Sequence, residues 1–280
     1  MKKLFAMLTA LVFLLNLYVF SEGNPRTGSY YYRVLSDGTI EITKYIGNAK
    51  TVNIPSRLFD KTVTSIGDCA FEFCYDLNTV KIPGSVTNIG DYAFNDCKDL
   101  VSLTISDGVT SIGTWAFAWC DHLSSVTLPN SVTSIGDWAF YDCSDLKSVT
   151  LSDNVTEIGV NPFVSCNILT DINVSSEHEY LAVIDGVLFT KPDRRLVCYP
   201  CGLPYNEYSI PEGTQVIGGD AFYRCRNLTS ITIPDSVTSI GERAYIGCSE
   251  ELVFTVEAGS YAEEFCKNNG FTYRYPGEAD

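Results

Sequence analysis

Eleven cysteines are the residues best placed to do chemistry in this chain of 280. Seven of them keep a fixed interval: Cys74, Cys97, Cys120, Cys143 and Cys166 stand 23 residues apart, and Cys225 and Cys248 repeat the spacing after an interruption. Such a series suits a ladder of disulfides, a metal site, or a column of buried thiols that pack as small hydrophobes. Equivalent Cα atoms of stacked turns sit about 5 Å apart along their strands, and a disulfide tolerates roughly 4.4–6.8 Å. A curved stack separates them further on its outer side. Zinc would require thiolates in an apolar core, at a heavy desolvation cost. The expectation is therefore the thiol column, with Cys97, Cys120 and Cys143 reduced beside Phe94, Phe117 and Phe140. Cys198 and Cys201 form a C-x-x-C in "VCYPCG", the spacing of a redox pair, but without the βαβ context of a thioredoxin.

Other catalytic groups are scarce. His122 and His178 are the two histidines, and neither lies in a nucleophile or metal motif. His122 occupies a variable position and reads as a surface residue. The acidic positions Asp68, Asp91, Asp137 and Asp220 could suggest calcium, but each precedes a short turn, where a carboxylate N-cap is the better explanation. No catalytic residue, metal ligand or cofactor site is assigned, and an enzyme is not expected.

The elements behind these residues are copies of one phrase. "SVTSIGDWAFYDC" at 131–143 follows "GVTSIGTWAFAWC" at 108–120. The unit runs Cys, two residues, Leu, two residues, Val, one residue, Ile or Leu, then "SVTSIGD", one residue, "AF", two residues, Cys. A fixed period of this size marks a solenoid, each copy forming one turn that buries its apolar face against its neighbours. Position 135 should pack on position 112. In "LKSVTLS" (146–152), Leu146, Val149 and Leu151 are spaced for a strand entered from a turn. "SVTSIG" gives a second short strand with Val132 and Ile135 inward, ended by Gly136. Across "DWAFYDC", Ala139, Phe140 and Cys143 fall at i, i+1 and i+4, the inward face of a short helix, which leaves Trp138, Tyr141 and Asp142 outward.

The N-terminus has Lys2 and Lys3 ahead of an apolar run at residues 4–20, the layout of a secretory signal peptide over residues 1–21. An uncleaved anchor is the rival, since the run approaches the ~20 residues that span a bilayer. A formal net charge of −15 without a basic cluster argues against nucleic acid and anionic membranes as partners.

The unit "LSSVTLPNSVTSIGDWAFYDC" resembles the BspA-type leucine-rich repeat of secreted and cell-surface proteins. The likeness extends to "YYYRVLSDGTIEITKYIGNAKTVNIPSRLFDKTVTSIGDCAF" as an entry module, "VIDGVLFTKPDRRLVCYP" as an inserted strand module and "GSYAEEFCKNNGFTYRY" as a closing helix and strand. It covers roughly residues 28–273, with seven copies of the "xxIG" core. The resemblance implies a leucine-rich-repeat solenoid, a β-rich right-handed superhelix of 23-residue strand, strand and short-helix turns with capping segments at both ends. Its modules would be an entry module and first turn at 28–74, four repeats at 75–166, an inserted strand module at 167–206, two further turns at 207–248 and a C-terminal cap at 249–280. The strand "LVCYP" would then be structural. "GVNPFVSC" at 159–166 departs from the repeat, with Val160 and Pro162 for Asp and Ala. Disturbed but unbroken stacking is expected there.

The resemblance also implies a secreted or cell-surface recognition or adhesion module that binds an extracellular protein or glycan, monomeric and off the membrane once the signal is removed. The alternative is a structural spacer or surface-layer protein with no specific ligand. The outward positions are uneven: Tyr92, Asn95 and Asp96, then Trp115, Ala118 and Trp119, then Trp138, Tyr141 and Asp142, and later Asp220, Tyr223 and Arg224, with Arg243 beyond. All three tryptophans fall in two adjacent turns. Such rings either lie over neighbouring turns and shield the turn layer or form a recognition surface; on the second reading Tyr92, Trp115, Trp119, Trp138 and Tyr141 are the candidate partner-binding residues, because Trp and Tyr are common binding anchors.

Overall fold

The computed structural model describes residues 24–278; the segment at 1–21 expected to be a signal peptide lies outside the described residues. The 23-residue phrase folds as one turn of a parallel solenoid. Its short strand pairs with the same strand of the turns on either side, so Ser111 aligns with Ser134 and Ile112 with Ile135, as the period requires. Strands Asn88–Ile89, Ser111–Ile112, Ser134–Ile135 and Glu157–Ile158 continue one sheet in this way. The second strand of each turn builds parallel ladders on another side, such as Ser125–Thr127 with Ser148–Thr150 and Asp171–Asn173.

The stacking leaves almost no room between turns. A Cβ at Gly159 would lie 2.2 Å from Asp137 Oδ1, and one at Gly136 would lie 2.6 Å from the Thr114 amide nitrogen. The "IG" step is therefore fixed by backbone approach. Inside, the apolar side chains of the central copies, such as Leu123, Val132 and Ile135, are buried with Cys97, Cys120, Cys143 and Cys166, and the rings of Phe71, Phe94, Phe117, Phe140 and Phe163 form one continuous stack.

The third segment of the turn differs from the short helix expected. Alternate amides reach the next turn: Trp115 N–H donates to Asp137 O (3.0 Å), Phe117 N–H to Ala139 O (2.8 Å) and Trp119 N–H to Tyr141 O (2.8 Å). The intervening Ala118 N–H closes back on Trp115 O (3.2 Å). This alternation needs left-handed backbone at two places per turn, and Trp115, Trp119, Trp138 and Asp142 have φ between 52° and 57°. Cys69, Phe73, Asp220, Arg224 and Arg243 share it, so the strain belongs to the repeat and not to the aromatic residues. The i, i+1, i+4 burial pattern suits this turn as well as it suits a helix.

The aspartates also act differently from N-caps. Asp91 Oδ1 accepts from the Thr114 amide of the following turn (2.8 Å), and Asp137 Oδ1 from the Val160 amide (2.7 Å). Each carboxylate thus ties its turn to the next and satisfies a backbone donor there.

The entry segment is an antiparallel meander, Tyr30–Val34 against Ile40–Tyr45, which hands over to parallel pairing with Lys61–Ile66. Between residues 174 and 198 two antiparallel hairpins, Leu181–Ile184 with Val187–Thr190 and Val187–Thr190 with Arg195–Cys198, interrupt the repeat. His178 anchors this insertion from a buried position. Its Nδ1 accepts from the amides of Tyr180 and Leu181, both at 3.0 Å, so Nε2 carries the proton given to Ser152 O (3.1 Å). The hairpins divide the interior into two apolar clusters, one from Ile40 to Cys198 and one from Val187 to Cys266. The stack then resumes with Tyr199 N–H donating to Ala221 O (2.9 Å). The chain closes with helix Tyr261–Asn269, capped by the Ser260 side chain and by left-handed Gly270, and strand Thr272–Arg274.

Candidate functional site

The five aromatic candidates come together on the outer side of the turn layer. They point away from the main core but are not uniformly exposed, because they form a separate apolar cluster. Trp115 and Tyr141 are only 8% exposed and sit with Ala118 and Val164 at its centre; Tyr92, Trp119 and Trp138 are half-buried around them. Trp115 is the hub, with ring centroids 5.2 Å from Trp119, 5.4 Å from Trp138, 4.6 Å from Tyr141 and 6.1 Å from Tyr92. Trp119 meets Tyr141 edge to face at 5.2 Å. These separations lie within the range favoured by aromatic pairs. Trp115 and Tyr141 thus follow the reading in which the rings lie over neighbouring turns and shield the turn layer, packed with Ala118 and Val164.

The cluster extends to residues that lie far away in sequence. Trp138 Nε1–H donates to Asp220 Oδ2 (3.0 Å), and Asn161 Nδ2–H donates to Asp220 O (2.9 Å). Arg243 Nε stands 2.9 Å from Asp220 Oδ1. The guanidinium groups of Arg224 and Arg243 lie 5.2 and 5.0 Å from the Tyr223 ring centroid, and Tyr223 packs against the aromatic cluster. Asp220, Tyr223, Arg224 and Arg243 occupy the outward columns of the later turns. Placing them beside Trp138 requires knowing that the insertion lets Asn161 abut Asp220 directly. Burial pushes the Tyr92 hydroxyl and the Asp142 and Asp220 carboxyls upward, Trp138 and Arg243 opposing it at Asp220 and Arg224 at Asp142. Burial also raises Tyr141, and nearby Tyr223 adds to it.

The cysteines resolve into two kinds. Cys97, Cys120, Cys143 and Cys166 are free and buried. Each thiol donates to the carbonyl of a phenylalanine in the preceding turn: Cys97 to Phe71 (3.2 Å), Cys120 to Phe94 (3.5 Å), Cys143 to Phe117 (3.2 Å) and Cys166 to Phe140 (3.1 Å). That acceptor explains why cysteine serves better here than a plain hydrophobe. Cys225 keeps its buried place in the column, its sulfur 3.6 Å from Tyr199 O, but it is not a free thiol, because it is joined to Cys201 in a disulfide. The C-x-x-C is therefore not a pair. Cys198 is buried and free, its pKa pushed up to about 12 by burial. His122 is exposed and pairs through Nδ1 with Asp145 Oδ2 (3.0 Å), a contact that raises its pKa. Among the described residues no group of three or more His, Cys, Asp or Glu side chains could hold a metal ion.

No curated protein matches this sequence. Among solved structures, a leucine rich cell surface protein from Faecalibacterium prausnitzii A2-165 is 30% identical, with 85% of this chain and 76% of that one aligned at a TM-score of 0.50. A leucine-rich repeat protein from Eubacterium ventriosum is 26% identical over 82% of this chain and 64% of its own, with a TM-score of 0.66. One from Bacteroides ovatus is 25% identical over 84% and 71%, with a TM-score of 0.57. The model of the BspA type leucine rich repeat region matches in six copies, over residues 64–184 and 198–266. With its period, its stacked strands and this match in agreement, the chain belongs to the BspA type leucine-rich repeat family.

Proposed function

We propose that the chain is a secreted or cell-surface recognition module that binds an extracellular protein or glycan through the face carrying Tyr92, Trp115, Trp119, Trp138 and Tyr141, without catalysing a reaction. The observation that carries this reading is a second apolar cluster, outside the core, with three half-buried candidate rings at its surface. Aromatic rings held on a rigid ladder give a partner a large contact area at little entropic cost. The family, and the cell-surface protein among its structural neighbours, support a location outside the cell. No helix among the described residues is long and apolar enough to cross a membrane.

A structural spacer is the competing reading, favoured by the burial of Trp115 and Tyr141 beneath their neighbours. Replacing those two rings would damage packing, and replacing Trp138 would break its bond to Asp220. The test therefore uses the rim. Residues 22–280 are screened against immobilised matrix proteins and glycans, and the hit is measured again with Tyr92→Ser and Trp119→Ser combined. Binding that falls by tenfold or more with little change in melting supports recognition at this face. Binding that persists places the contact elsewhere, and a screen without a hit favours the spacer.

A further inference from the structure

The rim of the aromatic face is bordered by carboxylates. Asp96 N–H donates to Ala118 O, Trp119 N–H to Tyr141 O and Asp142 N–H to Val164 O, each at 2.8 Å. These three residues occupy the same step of successive turns, so Trp119 stands between Asp96 and Asp142 at the turn spacing of about 5 Å. Asp99, Asp121 and Asp145 follow on the adjoining steps, where His122 pairs with Asp145 and lies in the field of Asp99 and Asp121. The permanent cations among them are Lys98, 3.5 Å from Asp96, and Arg224, which opposes Asp142. Negative charge is therefore in excess, and Asp96, Asp121 and Asp142 are half-buried instead of fully solvated. At the corresponding steps of the second block stand Arg224 and Arg226. The acidic rim thus belongs to the aromatic turns and not to the repeat.

The molecule shows twice how such a place is filled. Lys98 Nζ lies 5.9 Å from the Tyr75 ring centroid and 3.5 Å from Asp96 Oδ1, while the Tyr75 hydroxyl donates to Asp96 Oδ2 (3.3 Å). In the second block the Arg243 guanidinium lies 5.0 Å from the Tyr223 ring centroid, with its Nε 2.9 Å from Asp220 Oδ1. Each is a cation held on a ring beside a carboxylate. Trp119 has the ring and the carboxylates, and among the described residues no cation of the chain lies over it. Tryptophan is also the side chain that attracts a cation best. Burial raises the carboxyls of Asp121 and Asp142, opposed by Lys98 and Arg224 respectively, so an added cation would relieve both.

We propose that the partner of this face is a protein with a basic segment, one Lys or Arg of which seats its cation on the Trp119 ring between Asp96 and Asp142. The proposal rests on the reading of the face as a recognition surface and narrows the partner to a protein, because Lys and Arg side chains supply the cation. A formal net charge of −15 would steer such a partner inward, and the ring would fix where it docks.

Residues 22–280 are titrated with a short Lys–Ser repeat peptide, with the matched Glu–Ser peptide and with chitosan oligosaccharide. Binding is read by calorimetry and by tryptophan emission, since all three tryptophans lie in this cluster. The Lys–Ser peptide should bind and change the emission, with an affinity that falls as sodium chloride is raised, and the Glu–Ser peptide should not bind. Trp119→Ser should weaken binding about fivefold, and Asp96→Asn with Asp142→Asn about fivefold. Glu250→Gln with Glu251→Gln, exposed at the far end of the stack, should leave it unchanged. If the aspartate pair does not fold by circular dichroism, Asp121→Asn takes its place and should also weaken binding. Equal weakening by the two acidic pairs would mean adsorption by net charge and would overturn the proposal. So would peptide binding untouched by Trp119→Ser, chitosan binding at Trp119 without the peptide, or no peptide binding at all. Should the combined Tyr92 and Trp119 variant still lose the hit of the binding screen in any of these cases, the recognition face stands and only its basic partner falls.

Discussion

The two blocks on either side of the inserted hairpins use one repeat to different ends. In the first, five phenylalanines stack without interruption, the thiols below them are free, and the outer face is aromatic. In the second, tyrosine replaces phenylalanine at Tyr199 and Tyr245, with ring spacings of 5.3 and 5.2 Å on either side of Phe222. The hydroxyls of Tyr199, Tyr208 and Tyr245 are buried without a hydrogen-bond partner among the described residues. A buried hydroxyl left unpaired costs about 1–3 kcal/mol. The second block offsets this with a disulfide and with the closing helix. The inward positions therefore set how each block is stabilised, and the outward positions are released to differ.

The largest break in this comparison should come from the cap. Removing residues 259–280 takes away helix Tyr261–Asn269 and uncovers Tyr245 and Phe254, which pack against Phe265 and Phe271. A solenoid turn without a cover exposes its apolar face, so the truncated chain should aggregate or melt well below the parent. A soluble truncation with the parent's melting temperature would show that the closing segment is not a cap. Next in size is the clasp. Cys201→Ser with Cys225→Ser should cost roughly 2–4 kcal/mol in denaturant unfolding, whereas reductant should leave a form already lacking this bond unchanged. Smaller, and of opposite sign, is Tyr245→Phe. It removes an unpaired hydroxyl and should raise stability by about 1 kcal/mol; the reciprocal Phe117→Tyr should lower it.

Much of this architecture could be read from the chain before its structure. The 23-residue interval set the register, Ile112 does align with Ile135, and Phe94, Phe117 and Phe140 do face inward. The turn conformation was not legible, because Ala139, Phe140 and Cys143 fall on one face whether the backbone is helical or alternates with left-handed steps. The aspartate bonds cross between turns, so a reading within one turn turned them into caps. Cys201–Cys225 escaped because its partners are 24 residues apart and sit diagonally between turns, while the column repeats at 23. Trp138–Asp220 escaped because 82 residues separate the partners, and only the geometry of the insertion brings them together.

The smallest expected effect is acid sensitivity confined to the cap. Glu263 accepts from Lys267, from the Tyr275 hydroxyl (2.6 Å) and from the Gly259 amide (2.7 Å). Those bonds, Lys267 first, hold its carboxyl at about 2, below the ordinary 4.5. A lowered carboxyl pKa in the folded state adds stability that is present above the unfolded value and lost as pH falls through the folded one. Protection factors for amide exchange across residues 261–274, taken relative to the intrinsic rate at each pH, should therefore fall between pH 4.5 and about 2, and Glu263→Gln should flatten that dependence. An unchanged profile in the variant would remove Glu263 from the cap's acid response.

The central claim is that inward rings hold the ladder while the rim of the outer cluster stands free of that duty. Trp119 and Phe117 lie two residues apart in one turn, half-buried outside and fully buried inside. Chemical denaturation of Trp119→Ser beside Phe117→Ala compares the two faces directly. The account predicts a loss of about 3–5 kcal/mol for Phe117→Ala and of less than about 1 kcal/mol for Trp119→Ser, the size usual for a surface substitution. Losses of similar size in the two variants would contradict it, and would make the aromatic face part of the scaffold.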